Sequence, residues 1–108
     1  MPASALIIDD QPLYRDALSQ LLGALVGESN VRTASSAEEG LRLAPLLSDV
    51  RLVLLDFSLP GMSGTEAIGA VLGRLPGVEV VAASALEERL DATAALRAGA
   101  RYFISKAA

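Results

Sequence analysis

The residues of this chain whose types could do chemistry together are Asp9, Asp10, Asp56, Ser84 and Lys106, and only the first two are neighbours in sequence. Each closes or follows a short apolar run: ALIIDD for the Asp pair, RLVLLD for Asp56, VEVVAAS for Ser84 and YFISK for Lys106. Carboxylates gathered in one place repel unless a cation neutralises them. With oxygen ligands alone the natural guest is Mg²⁺, which keeps several waters and takes one or two carboxylates plus a phosphate. An ammonium beside it pairs with an Asp or holds a transferred phosphoryl oxygen, and a hydroxyl donates to another. An aspartyl phosphate needs that set: an Asp nucleophile, a metal, and donors for the phosphoryl oxygens.

Every one of these residues also has an ordinary role. An Asp after a strand is a common turn starter, so Asp56 either stops its strand or sits at a working surface. Ser84 can simply cap a following helix, and Lys106 can be a solvated charge. Lys106 is nonetheless the single Lys among nine Lys and Arg residues. A chain that writes Arg elsewhere keeps the compact ammonium at one place, where a planar guanidinium fits poorly.

The elements that must position these residues are legible in the periodicity. Apolar runs at 5–9, 31–34, 51–56, 78–84 and 102–105 are expected as strands. Pro12 opens a helix with Asp10 as its expected cap, and Tyr14, Leu18, Leu21, Leu22 and Leu25 form its expected buried stripe, ending near Gly27. Ser35 or Ser36, with Glu38 or Glu39, forms a capping box for a second helix over Leu41 and Leu43, which Pro45 ends or kinks. A turn at 57–64 leads to a third helix carrying Ile68, Val71, Leu72 and Leu75, and an Ala-rich fourth runs from Leu86 to Ala98. Strands alternating with helices give an α/β open parallel sheet with helices on both faces. Ligands of such sheets sit beyond the carboxyl ends of the strands, where the five residues then converge.

Composition removes several classes. The 108-residue chain is one domain without Cys or His, which excludes disulfides, Cys/His zinc sites and thiolate or imidazole nucleophiles, and suits a reducing cytoplasm. A net charge of −4 and a pI near 4.6, with scattered cations, make this chain a poor ligand for nucleic acid. The N-terminus lacks a signal-peptide pattern and no run is long enough to span a membrane. No Gly-rich nucleotide fingerprint follows the first strand. Apolar content of 52% and a mean hydropathy of +0.44 are high for a small domain.

Together, LIIDD, LVLLDFSLPGMSG, VVAAS and GARYFISK, in this order and spacing, resemble the receiver (phosphoacceptor) domains of two-component response regulators. IIDDQPLYRDALSQLL is similar to the NarL/FixJ type, which usually precedes a helix-turn-helix DNA-binding domain. The resemblance implies a flavodoxin-like (CheY-like) sheet of order 2-1-3-4-5. It implies that Asp56 accepts phosphoryl from a sensor histidine kinase. Mg²⁺ is then held by Asp9, Asp10, Asp56 and the backbone carbonyl of Ser58. Ser84 becomes the switch hydroxyl, Lys106 the phosphate-contacting lysine and Phe103, rather than Tyr102, the switch aromatic. The domain is then a switch that catalyses only its own phosphotransfer and dephosphorylation.

The sequence departs from the pattern at Ala107, where many receivers have Pro, and at Leu86, beside the path of attacking water. It also stops after the fifth strand, where the family has a fifth helix. That implies a C-terminally truncated receiver with a bare apolar face and a homodimer formed through it, DNA being bound only by a domain outside this chain. Two other readings stand beside this one: an interaction module that never takes phosphate, and a phosphatase using Asp56. The phosphatase lacks the further general acid it would need, since Ser58 occupies that position.

Overall fold

Parallel strands buried on both faces need continuous apolar runs, and the runs above supply them. The computed structural model describes residues 4–47, 49–84 and 89–106. Its strands are β1 (Ser4–Ile8), β2 (Val31–Ala34), β3 (Val50–Asp56), β4 (Glu79–Ser84) and β5 (Tyr102–Ser105), all parallel in the order β2-β1-β3-β4-β5. Between them lie α1 (Pro12–Val26), α2 (Ala37–Leu43), α3 (Gly64–Arg74) and α4 (Arg89–Ala98). The expected strand order 2-1-3-4-5 is therefore that of the molecule. Leu86 and Ala107 lie outside the described residues.

Alternation along the strands divides the core in two. Leu6, Ile8, Val53, Leu55, Val80 and Ala82 face α2, α3 and α4, where they meet Leu41, Ile68, Val71 and Ala95. Ala5, Ile7 and Val31 face α1 and pack on Leu22, with Leu18 and Val26 beside them. Full burial of a side chain such as Ile68 contributes about 1.5–3 kcal/mol, so the larger cluster holds the sheet.

Local chemistry sets the helix ends. Ser36 accepts the Glu39 N–H at 3.1 Å, while the Glu39 carboxylate accepts the Ser35 N–H at 3.2 Å. This is the expected capping box, resolved to Ser36 and Glu39. At Pro45 the chain tightens into a 3₁₀ turn, Ala44–Leu46, which ends α2 as a proline should. Ser63 caps α3, its hydroxyl accepting the Glu66 N–H at 3.2 Å and donating to the Glu66 carboxylate at 3.1 Å.

Two expectations for α1 are corrected. Its N-cap is Gln11, not Asp10, and Gln11 makes no side-chain cap bond. The Asp9 carboxylate instead accepts the N–H of Gln11 itself at 2.9 Å, which fixes the residue before the helix without capping its first turn. Pro12 at the first helical position needs no partner for a missing N–H, so the helix starts there without a capping side chain. The buried stripe is also narrower than expected: Leu22 is buried and Leu18 partly so, whereas Leu21 and Leu25 are exposed. A single helix lying on a sheet buries fewer positions than one packed between neighbours.

Candidate phosphoryl-transfer site

Register brings the polar residues together. Ile8 pairs with Leu55, so Asp9 and Asp56 stand one step beyond that pair on adjacent strands. Asp56 pairs with Ala83, and Ser84 with Ser105, which sets Ser84 and Lys106 one step further along the edge. Backbone bonds continue the ladder past the strand ends: the Asp9 N–H donates to Ala34, Phe57 to Ala83 and Lys106 to Ser84, at 2.7–3.0 Å. The main chain at the site is thus as fixed as the sheet itself.

The side chains close into one ionic cluster. Lys106 Nζ donates to Asp9 Oδ2 at 2.7 Å and to Asp56 Oδ2 at 3.1 Å. All three side chains are 5% exposed or less. Removing them from water is costly, and the pairing is what makes it tolerable. Burial pulls the Lys106 pKa down, but its hydrogen bonds and attraction to Asp9 and Asp56 outweigh that, leaving it above the ordinary 10.5. The ammonium therefore stays charged.

Asp9, Asp10 and Asp56 each offer a carboxylate oxygen within 4.8 Å of the others, with Asp10 exposed and the other two buried. A hard dication that prefers oxygen and retains water suits this donor set: two anchored carboxylates and one open to solvent. The Asp56 carboxylate is oriented by the Ser58 N–H, which donates to its Oδ1 at 2.9 Å. Pro60 and Gly61 (φ +94°) then turn the chain away, a conformation that glycine adopts freely. Ser84 is fully buried, and its hydroxyl lies 3.2 Å from that of Ser58. Phe103 is half-buried and meets the Phe57 ring edge-on at 5.9 Å, whereas Tyr102 is exposed.

Asp9, Asp10, Asp56, Ser58, Ser84, Phe103 and Lys106 thus lie at or beside one edge of the sheet. The model for the response regulator receiver domain matches residues 5–108. This chain is a response regulator receiver domain. The receiver domain is 34% identical over 105 residues to the nitrate/nitrite response regulator protein NarL of Escherichia coli K12, covering 97% of this chain and 48% of NarL. It is 39% identical over 104 residues to the transcriptional activator protein ExaE of Pseudomonas putida, covering 95% of this chain and 48% of the relative. The chain therefore spans about half the length of these relatives. A CheY-like receiver domain protein from Methanospirillum hungatei superposes with a TM-score of 0.87 at 29% identity, over 100% of this chain and 84% of that one. Such a receiver domain is a module of two-component signalling rather than a metabolic enzyme.

Two residues at the site were not anticipated. Gln11 Oε1 accepts a third hydrogen bond from Lys106 Nζ at 2.9 Å, and the ammonium sits 4.4 Å from the centre of the Tyr14 ring. Parity sets Asp9, Asp56 and Lys106 in step with Ile7, Leu54 and Ile104, on the side of the sheet that carries α1, but does not say which α1 residues reach them.

Proposed function

We propose that this receiver is a phosphorylation-dependent switch in which Asp56 accepts phosphoryl from a sensor histidine kinase in the cytoplasm. The observation that carries the reading is the buried Asp56 carboxylate, held by Lys106 and grouped with Asp9 and Asp10 at the carboxyl edge. An Asp56 oxygen attacks phosphorus, the P–N bond of the donor's phosphohistidine breaks, and the imidazole nitrogen leaves with the electron pair. Dephosphorylation reverses the charge separation: water attacks phosphorus and the Asp56 carboxylate leaves, releasing inorganic phosphate.

Asp9, Asp10, Asp56 and the Ser58 carbonyl would hold Mg²⁺. When bound, that ion neutralises charge on the phosphoryl oxygens. Lys106 and Ser84 donate to the remaining oxygens. Drawing Ser84 toward the phosphoryl group costs it the hydroxyl contact with Ser58, and Phe103, already against Phe57, is the side chain that responds. A partner then reads the altered surface of α4 and β5. Relatives about twice as long support an output domain outside this chain, a helix-turn-helix acting on transcription and making any contact to DNA. Exposed apolar residues such as Leu13, Leu25, Tyr102 and Ile104 support a homodimer as a further assembly.

The test is incubation with acetyl phosphate and Mg²⁺ followed by intact mass. One phosphoryl group is expected on the wild type, none on Asp56→Asn, and none on the wild type in chelator. Absence of the adduct from the wild type favours an interaction module that never takes phosphate.

A further inference from the structure

We infer that Gln11 and Tyr14 form a charge-free cradle that positions the Lys106 ammonium for phosphoryl transfer, a role that rests on Asp56 being the phosphoacceptor. An ammonium has three N–H donors. Lys106 spends all three, on Asp9, Asp56 and Gln11, and presents its charge to the face of Tyr14. The ionic partners cannot hold it through the reaction. Once Asp56 carries phosphoryl, its Oδ2 is no longer a free carboxylate oxygen, and Asp9 is also required for the metal. What continues to orient Nζ is the side-chain carbonyl oxygen of Gln11, the N-cap of α1, and the Tyr14 ring from its first turn.

Their chemistry suits that task. Neither carries negative charge, so neither competes with the phosphoryl oxygens for the ammonium as a third carboxylate would. The ring face attracts a cation and keeps water from it. The two groups are fixed to the site from both directions, because the Asp9 carboxylate accepts the Gln11 N–H and the Arg15 guanidinium donates to the Asp9 carbonyl at 2.8 Å. The start of α1 and the end of β1 therefore move as one body, and the lysine at the end of β5 is referenced to it. Pro12 holds the backbone between them at a helical φ. Gln11 and Tyr14 are positioning residues: they act on the phosphoryl group only through Lys106.

The single lysine makes the test direct, since lysine labelled with ¹³C and ¹⁵N gives one side-chain spin system in this 108-residue chain. The Lys106 ε-methylene protons are expected upfield of their random-coil position, from the Tyr14 ring current, both at rest and with Mg²⁺ and beryllofluoride. Tyr14→Leu should lose that shift and take phosphoryl from acetyl phosphate about ten-fold more slowly, with Tyr14→Phe restoring both, because the face of the ring and not its hydroxyl is used. Gln11→Met, at an exposed position where folding is not at stake, should slow the reaction several-fold while the ring-current shift weakens. The role is overturned if the wild-type lysine shows no ring-current shift, or if Tyr14→Leu and Gln11→Met react at the wild-type rate. A wild-type chain that takes no phosphoryl overturns the phosphoacceptor reading and this role with it. A reactive wild type beside equally reactive variants overturns the positioning role alone.

Discussion

The three-helix side of the sheet and its carboxyl edge are made by the same strands, and both exclude water, but by opposite means. On β1 the chain passes from Ile8 to Asp9, and on β3 from Leu55 to Asp56, one residue separating a dry apolar core from a buried ion cluster. The apolar side is stabilised by area, spread over many side chains and indifferent to ions. The edge is stabilised by pairing, so a single ammonium determines whether two buried carboxylates are compensated. Redundancy in one region and dependence on one residue in the other lead to different responses to substitution.

The largest effect is expected where one residue carries the balance. Lys106→Met leaves Asp9 and Asp56 buried without their cation and should cost about 3–5 kcal/mol in chelator. Much of that loss should return when Mg²⁺ is added, because a dication at the three carboxylates replaces the missing charge. Urea unfolding with and without Mg²⁺ measures both quantities. A variant as stable as wild type in chelator would erase the contrast between the two regions. Ile68→Ala, in the core under α3, should cost about 2–5 kcal/mol and respond to Mg²⁺ no more than the wild type does.

Gly64→Ala tests the seam between the regions. A Cβ there would collide with the ring of Phe57, the residue that follows Asp56 and meets Phe103. We expect about 1–3 kcal/mol of destabilisation, together with altered Phe103 ring resonances, checked by thermal unfolding and aromatic NMR. The smallest effect is expected from alkali. Because the Lys106 pKa is raised, the folded chain holds that proton more tightly than the unfolded one. The stability this confers is complete below 10.5 and is lost as pH climbs through the higher folded value. Unfolding midpoints at about pH 9 and about pH 11.5 should therefore separate further for the wild type than for Lys106→Met.

Both regions were largely legible in the sequence, for different reasons. Buried parallel strands write their position as apolar runs, and Val50–Asp56 and Tyr102–Ser105 fall within a residue of expectation. Asp9, Asp10, Asp56, Ser84 and Lys106 could be grouped because each ends such a run, so topology alone collects them. What could not be read is anything that depends on how one helix rolls against the sheet. Leu21 and Leu25 share the helical period of Leu18 and Leu22, yet the periodicity does not say how wide a stripe the sheet can cover. Gln11 and Tyr14 were missed for a related reason: their partner lies 95 residues away from Gln11, and nothing local marks a neutral amide or a ring as its neighbour.

The separation of Lys106 from its partners has a consequence for the order in which the molecule is made. Lys106 follows Asp9 by 97 residues and Asp56 by 50. A chain synthesised from its N-terminus completes both carboxylates long before the cation that compensates them. Until β5 docks, a nascent domain holds an acidic strand end that resists burial, and free divalent ions are the neutralisers within reach. Closure of the lysine onto Asp9 and Asp56 therefore reports that the last strand has joined the sheet.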